Sequence, residues 1–228
     1  MNPSRWRGPA AAALLAAALL LGGCASQAPQ QDRSAFLRAR PATLLVLPPV
    51  NDSVEIEASA GAWASATRPL AEAGYYVLPS TLVDETLRRN GVTVPDEAQA
   101  LPAKKLREVF GADAAVYIKV SRYGTRYTVL ASETRVDVDA QIVDLRSGEV
   151  LWRGRGSASS REDDERNAAG DGKKKGLLDT LISAVIGQII DTRRNASFGY
   201  AQQASERMFD PAQPEGVLAG PRAPKKDR

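Results

Sequence analysis

The sequence contains no histidine and only one cysteine, Cys24, among its 228 residues. These two counts exclude a Ser-His-Asp or Cys-His nucleophile, a zinc site built from histidine and cysteine, and a disulfide within the chain. The net charge is also small, because the chain has 30 Lys and Arg residues and 27 Asp and Glu residues. A protein that binds duplex nucleic acid needs a clustered excess of cations, so we expect no nucleic-acid partner. The 43% hydrophobic and 25% charged residues are typical of a globular chain.

Long hydrophobic runs are absent as well. The one short run, residues 10–21, follows two arginines and precedes Gly22, Gly23 and Cys24. It would span about 18 Å of a roughly 30 Å hydrocarbon core, so we expect no transmembrane helix. A basic start, a short apolar middle and small residues before a cleavage site are typical of a secretory signal peptide. We therefore predict a signal peptide over residues 1–23, cut between Gly23 and Cys24.

The segment Leu-Gly-Gly-Cys at residues 21–24 resembles the lipobox of bacterial lipoproteins, in which a dedicated peptidase cuts before the cysteine and the new N-terminal cysteine carries acyl chains. The resemblance implies a membrane anchor of acyl chains, such as palmitate, on Cys24, and we expect no cofactor besides this covalent lipid. Each buried CH₂ contributes about 0.8 kcal/mol, and two or more chains hold a protein stably on its membrane. The alternative is an uncleaved anchor with an incidental buried cysteine.

Two further features concern the mature chain. In proteobacterial lipoproteins, an aspartate after the lipidated cysteine retains the protein at the inner membrane. This chain has Ala25 and Ser26 after Cys24 instead. The resemblance to those lipoproteins therefore implies the outer membrane, on its periplasmic face. Removal of residues 1–23, with their two arginines, leaves 28 basic and 27 acidic residues. The mature chain is therefore nearly neutral.

Composition divides the mature chain into three parts. Residues 24–40 are predicted to be the lipidated cysteine and a flexible tether, because they are rich in Gln, Ala, Ser and Arg and have no hydrophobic period. Residues 41–209 are predicted to form an α/β periplasmic domain, within which the charged, Gly-rich stretch 161–176 is expected to be a mobile loop. The Pro-rich residues 210–228 are predicted to be a disordered tail.

Hydrophobic periodicity predicts the order β-α-β-α-α-β-β-β-α within the domain. The apolar run Thr43–Val50 and the short strand Tyr75–Leu78 are joined through a helix and are expected to be parallel. After residue 115 the period changes to two, and Asp144–Glu149 reads as a tight turn between antiparallel strands. The fold class is therefore α/β, a single domain with a mixed five-stranded sheet and helices packed on it.

The clearest helical pattern covers residues 177–190, where apolar residues recur in pairs four apart. Packing of this helix on the sheet is the favoured interpretation. A homodimer interface through the same helix is the alternative.

Catalytic motifs are missing from the sequence. It has no Gly-x-Gly-x-x-Gly, no P-loop and no Gly-x-Ser-x-Gly. The acidic pair Asp137 and Asp139 alternates on the wet side of a predicted strand, where the two carboxylates are not placed as an acid and a base with separated pKa values. We therefore expect a protein that is not an enzyme and that holds no metal ion.

Candidate interaction residues follow from fold logic and residue type. The first predicted strand is followed by Asn51, Asp52 and Ser53. In sheets with parallel strands, ligands bind beyond the carboxyl ends of the strands, so these three residues are candidates for an interaction site. The same three residues are ordinary turn formers. The large aromatics Tyr75, Tyr76 and Trp152 are candidate interface anchors, and a place in the core is the alternative.

Four segments together resemble a family of bacterial outer-membrane lipoproteins of unknown function, whose best-known member is a neisserial surface lipoprotein antigen. They are Leu45–Asn51 (LVLPPVN), Pro69–Val77 (PLAEAGYYV), Leu106–Ala114 (LREVFGADA) and Val143–Trp152 (VDLRSGEVLW). The last segment also resembles periplasmic modules of curli-channel lipoproteins, of the N-terminal domain of the Tol propeller protein and of outer-membrane activators of peptidoglycan synthases. The resemblance implies a lipid at Cys24 and an α/β module, and it implies no chemistry.

These observations support one leading hypothesis for function. It is a non-enzymatic, lipid-anchored periplasmic interaction module that helps to assemble or regulate an envelope or secretion complex, with curli-channel-like lipoproteins among the expected partners. An activator of a peptidoglycan synthase is the second hypothesis, and a small-molecule-binding protein is the third.

Overall fold

The computed structural model describes residues 32–127, 132–170 and 192–224. The predicted signal peptide, Cys24 and the predicted helix over residues 177–190 with its proposed dimer interface lie outside these residues. The elements in chain order are α1 (Ser34–Ala39), β1 (Thr43–Val46), β2 (Val50–Asn51), α2 (Ala58–Glu72), β3 (Tyr76–Val77), α3 (Ser80–Arg89), α4 (Pro95–Ala100), α5 (Ala103–Phe110), β4 (Ala114–Tyr127), β5 (Ser132–Asp144), β6 (Val150–Ser159), α6 (Ser160–Gly170) and α7 (Thr192–Phe209).

The strands form one mixed sheet in the order β3-β1-β4-β5-β6, and β2 also pairs with β4. Strand β1 is parallel to β3 and β4, whereas β4, β5 and β6 are antiparallel. The predicted mixed α/β sheet is confirmed, with six strands in place of five. The apolar run Thr43–Val50 is split because Pro48 and Pro49 have no N–H for the ladder, and pairing resumes at Val50 opposite Lys119.

The long β4–β5–β6 meander follows from the period-two pattern. Strands β4 and β5 run for 14 and 13 residues and bury alternate side chains. The turn after β5 is held by the carboxylate of Asp144, which accepts hydrogen bonds from Arg146 N at 3.0 Å and Ser147 Oγ at 3.2 Å. Gly148 has a φ of +77° in this turn, a conformation that favours glycine. The predicted turn is confirmed.

Helices cover the two faces of the sheet unequally. Helices α1, α2 and α7 cover one face along most of its width, where Leu44, Val116 and Ile142 are fully buried. Helices α3, α4 and α5 cover the other face only around β1 and the start of β4, where they bury Leu45 and Leu106. On that second face the alternate residues of β5 and β6 are therefore open to solvent.

Asp113 joins the start of β4 to β1. Its Oδ2 accepts hydrogen bonds from Ala42 N at 2.9 Å, Thr43 N at 3.0 Å and Thr43 Oγ1 at 2.9 Å. Burial alone would raise the pKa of this carboxyl, but these hydrogen bonds outweigh burial and lower the pKa below its ordinary value of 3.8. The ionised form of Asp113 is the one that holds the two strands in register.

The predicted tether is wrong for residues 34–39, which form helix α1. Phe36 is 5% exposed, and its ring lies edge-on to Tyr75 with centroids 6.4 Å apart. A helix of six residues is shorter than two turns, so its sequence shows no hydrophobic period. Tertiary burial of Ala35 and Phe36 therefore decides that this segment is ordered.

The predicted disordered tail is wrong for residues 210–224. Val217 is fully buried, and Gly220 N donates to the carbonyl of Ala73 at 2.7 Å. The segment is held by main-chain groups and isolated apolar side chains, and such contacts leave no periodic signature in the sequence.

The predicted mobile loop is wrong for residues 161–170, which continue from β6 as helix α6. Ion pairs support the helix, because Arg161 Nε lies 3.0 Å from Glu165 Oε1 and Arg207 Nη1 lies 2.8 Å from Glu162 Oε2. Residues 171–176 of the predicted loop lie outside the described residues. In the described ranges, no helix combines the length and apolarity needed to cross a bilayer.

Candidate interaction site at the carboxyl end of the parallel strands

The predicted site residues Asn51, Asp52 and Ser53 lie together where β2 ends and the Asp52–Glu57 loop leads into α2. Asn51 Oδ1 accepts hydrogen bonds from Ser53 N at 2.8 Å and Ser53 Oγ at 2.7 Å, and Asn51 Nδ2 donates to the carbonyl of Glu55 at 2.8 Å. The polar groups of Asn51 and Ser53 are therefore used within the turn. They give the loop its shape, as expected of turn formers.

Ion pairing and close packing fix the loop to the neighbouring hairpin. Asp52 Oδ2 lies 2.6 Å from Lys119 Nζ, and this hydrogen bond raises the pKa of the lysine. Both side chains are about half exposed, so solvent screens the pair and its contribution to stability is small. Gly124 has a φ of +113°, and a Cβ at this position would lie 2.7 Å from Glu55 Cγ. Glycine at 124 therefore lets the loop lie directly on β4.

Two aliphatic side chains project from this braced loop. Val54 is 95% exposed and Ile56 is 94% exposed, although the main chain around them is fixed by the contacts of Asn51 and Asp52. Tyr127 on the adjacent hairpin is 60% exposed. Isolated exposed apolar residues are common, but two on one braced loop form a preformed apolar projection.

Among the hollows beside the Asp52–Glu57 loop are two of similar size. One, of about 480 Å³, is open to solvent and lies between the loop and the β4–β5 hairpin, with Arg122, Tyr123 and Arg135 among its lining residues. The other, of about 460 Å³, lies between α2 and α3 and is lined in part by Ile56 and Trp63. Trp63 is held there by a hydrogen bond from its Nε1 to the carbonyl of Val46 at 3.0 Å.

The prediction that Tyr75 and Trp152 are accessible interface anchors is wrong, because both side chains lie in the core. Tyr75 is 4% exposed and donates its hydroxyl to the carbonyl of Leu218, and burial raises the pKa of this phenol. Trp152 is 2% exposed, donates Nε1 to the carbonyl of Glu215 at 2.9 Å and packs on Phe209 at 5.5 Å between centroids. Large aromatics in strands supply core packing as readily as binding energy, and here they hold α7 and the C-terminal segment.

Tyr76 is the predicted aromatic that remains at the surface. It is 52% exposed, and the guanidinium of Arg222 lies 5.8 Å from its ring centroid. Tyr76 therefore belongs to a different surface from the Asp52–Glu57 loop, next to the C-terminal segment.

The acidic pair on β5 is engaged with arginines. Arg135 Nε lies 2.9 Å from Asp137 Oδ2, and Arg155 Nε lies 2.7 Å from Asp139 Oδ1. In each case the hydrogen bond to the carboxylate raises the pKa of the arginine. Both carboxylates are therefore engaged in ion pairs on the surface of the sheet.

Comparison with known proteins places this fold in a family. Residues 31–222 match the family model described as "Putative lipoprotein GNA1162-like". The chain belongs to this family. The resemblance noted in the four sequence segments is confirmed, and the family match extends across helix α1 and most of the C-terminal segment.

Members of the GNA1162-like family from Neisseria meningitidis are similar over nearly their whole length. The chain is 40% identical over 209 residues to "Putative lipoprotein NMB1124/NMB1162" of serogroup B, strain ATCC BAA-335 / MC58, covering 91% of this chain and 94% of that protein. It is 41% identical to the crystal structure of lipoprotein GNA1162, with a TM-score of 0.51 over 66% of this chain and 99% of that one. The NMR structure of Escherichia coli LpoB is 15% identical, with a TM-score of 0.41 over 69% of this chain and 81% of that one.

Residue type indicates the turn at Asn51–Ser53 but not the two side chains that project from the loop after it. Asn51, Asp52 and Ser53 stand out by residue type, whereas Val54 and Ile56 have the composition of buried residues. The signal available in the sequence is their alternation with Glu55 and Glu57 directly after a turn-forming triplet. This pattern also fits a half-buried strand, and only the tertiary structure shows that nothing in the described chain covers the two side chains.

Proposed function

We propose that this protein is a non-enzymatic interaction module, anchored by a lipid on Cys24 to the periplasmic face of the outer membrane, that helps to assemble or regulate an envelope complex. The observation that carries the proposal is the full exposure of Val54 and Ile56 on a loop whose main chain is already fixed. A curli-channel-like lipoprotein is the kind of envelope partner that we expect to bind there.

Burial in an interface gives these two side chains a useful binding energy. Full burial of a Val or Ile side chain contributes about 1.5–3 kcal/mol, so the pair can supply roughly 3–6 kcal/mol. Because the loop is preformed, little of this energy is spent on ordering it. An apolar socket of matching size on a partner protein is therefore the surface that the loop fits.

The position of the Asp52–Glu57 loop in the fold supports an outward-facing role. Helix α1 precedes β1, and the loop follows β2 at the opposite end of these parallel strands. The six steps from Ala114, beside β1, to Val120, beside β2, correspond to about 20 Å along the sheet.

The open hollow next to the loop gives less support to a small-molecule carrier. Ligand sites are mostly apolar and enclose most of the ligand. The hollow of about 480 Å³ is lined by several charged side chains, among which Arg135 is paired with Asp137 and Asp52 with Lys119. Interaction with a protein surface fits such a shallow, charged hollow better.

Site-specific photo-crosslinking in intact cells tests the proposal. A photoreactive residue at position 54 or 56 is expected to crosslink to one envelope protein, identified by mass spectrometry, and the same residue at position 82 is the matched control. Leu82 is an exposed apolar residue, at 57% exposure, on α3. Equal crosslinking from position 82, or none from 54 and 56, would contradict the role of the loop. A cell-wall synthase as the crosslinked protein would favour the activator hypothesis instead.

The lipid anchor has its own test. Mass spectrometry of the mature protein is expected to show acyl chains on an N-terminal Cys24, and Cys24→Ser is expected to release the protein from the membrane fraction. An unmodified thiol on Cys24 would refute the anchor and would leave the crosslinking result from the loop unaffected.

A further inference from the structure

Strand β6 forms one outer edge of the sheet, because it pairs with β5 and with no other described strand. In an antiparallel ladder, the main-chain groups of alternate residues point to the neighbour and those of the residues between point away. Ser157 identifies the outward set, since its carbonyl accepts a hydrogen bond from Arg207 Nη1 at 3.0 Å on the far side from β5. The main-chain groups of Arg153 and Arg155 therefore point outward as well.

Among the described residues, most main-chain groups on this outward edge have no hydrogen-bond partner. In the described part of the chain, no hydrogen bond engages the main-chain N–H or C=O of Arg153 and Arg155 on the outer side, or the N–H of Ser157. The opposite edge of the sheet offers fewer main-chain groups to an added strand. Strand β3 has only two residues, and the C-terminal segment forms hydrogen bonds with Ala73 and Gly74 just before it. These five main-chain groups, unused within the described residues, are a template for an added strand.

The edge is also rigid, which reduces the cost of binding an added strand. Strand β6 is paired with β5 from Val150 to Ser159. Glycine at 156 lets it lie close to α7, since a Cβ there would lie 2.5 Å from the carbonyl oxygen of Ala204, and glycine at 154 leaves room for the ring of Trp152 on the same strand, which a Cβ would approach to 2.2 Å. Strand β6 therefore needs no reordering before it pairs.

Charge selects the added strand. Arg153 and Arg155 are the only charged residues of β6, and both side chains stand on the open face of the sheet. Arg155 is paired with Asp139 at 2.7 Å, whereas Arg153 has no ion pair within the described residues. Antiparallel pairing of two copies of β6 would set arginines against each other, and like charges placed opposite destabilise a strand pair. An acidic strand is favoured for the same reason.

We propose that the outer edge of β6 binds an extended acidic segment of a protein partner as an additional antiparallel or parallel strand. The N–H and C=O of Arg153 and Arg155 and the N–H of Ser157 bind its backbone, and acidic side chains at alternate positions face the two arginines. The proposal deepens the proposed function by giving the interaction module a second contact surface and the chemistry of its ligand. It involves neither the lipid nor Val54 and Ile56.

Titration with a designed peptide tests this surface. The probe is a nine-residue peptide of alternating Glu and Val with blocked ends, and a Lys–Val peptide of the same length is its control. The protein is the whole mature chain, residues 24–228, with Cys24→Ser. Amide exchange measured by NMR is expected to slow at Arg153, Arg155 and Ser157 on adding the Glu–Val peptide. The Lys–Val peptide is expected to leave these amides unchanged.

Two variants separate the main-chain contacts from the charge. Ser157→Pro removes one outward N–H and leaves the β5 ladder intact, and the loss of one hydrogen bond is expected to weaken peptide binding about five-fold. Arg153→Glu is expected to weaken binding of the Glu–Val peptide by about ten-fold or more. Lys104→Glu, the same charge change at an exposed position on α5, is the matched control and is expected to leave binding unchanged.

Three results would overturn the proposal. They are equal protection by the two peptides, unchanged binding by the Arg153→Glu variant, and protection of the edge amides that grows with protein concentration in the absence of peptide. The last result would identify a second copy as the occupant. The variant with Val54→Ser and Ile56→Ser is expected to bind the peptide normally, so failure at the β6 edge and failure at the Asp52–Glu57 loop are distinguishable.

Discussion

Alanine substitutions at two glycines on either side of the β6–α7 contact should have opposite effects on stability. Gly156 lies in β6 and faces α7, and Gly199 lies within α7. We predict that Gly156→Ala destabilises the protein and that Gly199→Ala stabilises it. Both changes add one methyl group, but only the one at Gly156 meets helix backbone.

The distances set the magnitudes. A Cβ on Gly156 would lie 2.5 Å from the carbonyl oxygen of Ala204, whereas contact between such atoms needs about 3.5 Å. The obstacle is helix backbone, which cannot rotate away, so α7 has to move by about 1 Å. Overpacking of this kind costs about 1–3 kcal/mol, which exceeds the gain of about 0.4–1 kcal/mol from a less flexible unfolded chain. We expect a net loss of about 1–2 kcal/mol.

At Gly199 the same methyl group meets no atom of the described chain within 4 Å. Alanine is favoured over glycine inside a helix by about 0.5–1 kcal/mol. For a domain of this size, each kcal/mol changes the melting temperature by about 2–4 °C. The predicted changes are therefore a decrease of about 2–8 °C for Gly156→Ala and an increase of about 1–4 °C for Gly199→Ala.

Urea denaturation of the mature chain, followed by far-UV circular dichroism, measures both effects together with the dependence on denaturant. The predicted outcome is an altered midpoint with an unchanged slope, since neither change alters the surface exposed on unfolding. A Gly156→Ala variant as stable as the parent would refute the close β6–α7 packing. Equal destabilisation by both variants would show that α7 does not tolerate any added methyl group, and the packing argument would fail.

Three further predictions address the ordered N-terminal segment, acid stability and the Asp52–Glu57 loop. Phe36→Ala should reduce the free energy of unfolding, measured by urea denaturation, by about 3–4 kcal/mol. The neighbouring Leu37→Ala, at a position that is 63% exposed, should change it by less than about 0.5 kcal/mol. Equal effects of the two substitutions would mean that α1 is not packed. Asp113 has a lowered pKa in the folded state, so its contribution is present above the unfolded value of about 3.9 and is lost as pH falls through the folded value. Urea unfolding between pH 2 and 6 should show less acid destabilisation for Asp113→Asn than for the parent, and identical pH profiles would count against this account. Gly124→Ala should displace Glu55 and reduce crosslinking from position 54, because φ is +113° and the new Cβ would lie 2.7 Å from Glu55 Cγ; unchanged crosslinking would show that the loop does not depend on this contact.

Hydrophobic periodicity predicts an element correctly where apolar side chains at regular spacing form the buried face of that element. In the meander from β4 to β6, burial alternates with a period of two over Val116–Val120 of β4 and over most of β5, and the turn after β5 is made by Asp144 and Gly148 within six residues. Both features are local in sequence, so they are visible without knowledge of the fold. The same holds for the C-terminal ends of α2 and α5, where Gly74 and Gly111 have positive φ.

Segments ordered by contacts distant in sequence were missed. Helix α1 is ordered because Phe36 meets Tyr75, 39 positions later, and the C-terminal segment because its main chain reaches Ala73 and the side chain of Trp152. Composition describes both segments as polar and irregular. The free energy that orders them comes from partners that no local window contains.

The sequence by itself determined the absence of imidazole chemistry, the single cysteine available for a lipid, the α/β class and the turn at Asn51–Ser53, because each depends on residue type or on a repeat of a few residues. Only the tertiary structure decided that Tyr75 and Trp152 are buried while Val54 and Ile56 are exposed. Aromatic and aliphatic side chains have the same preference for burial, and whether that preference is met depends on which elements the fold brings next to them. The candidate interaction site is one place where the described fold leaves that preference unmet, for two side chains of the same loop.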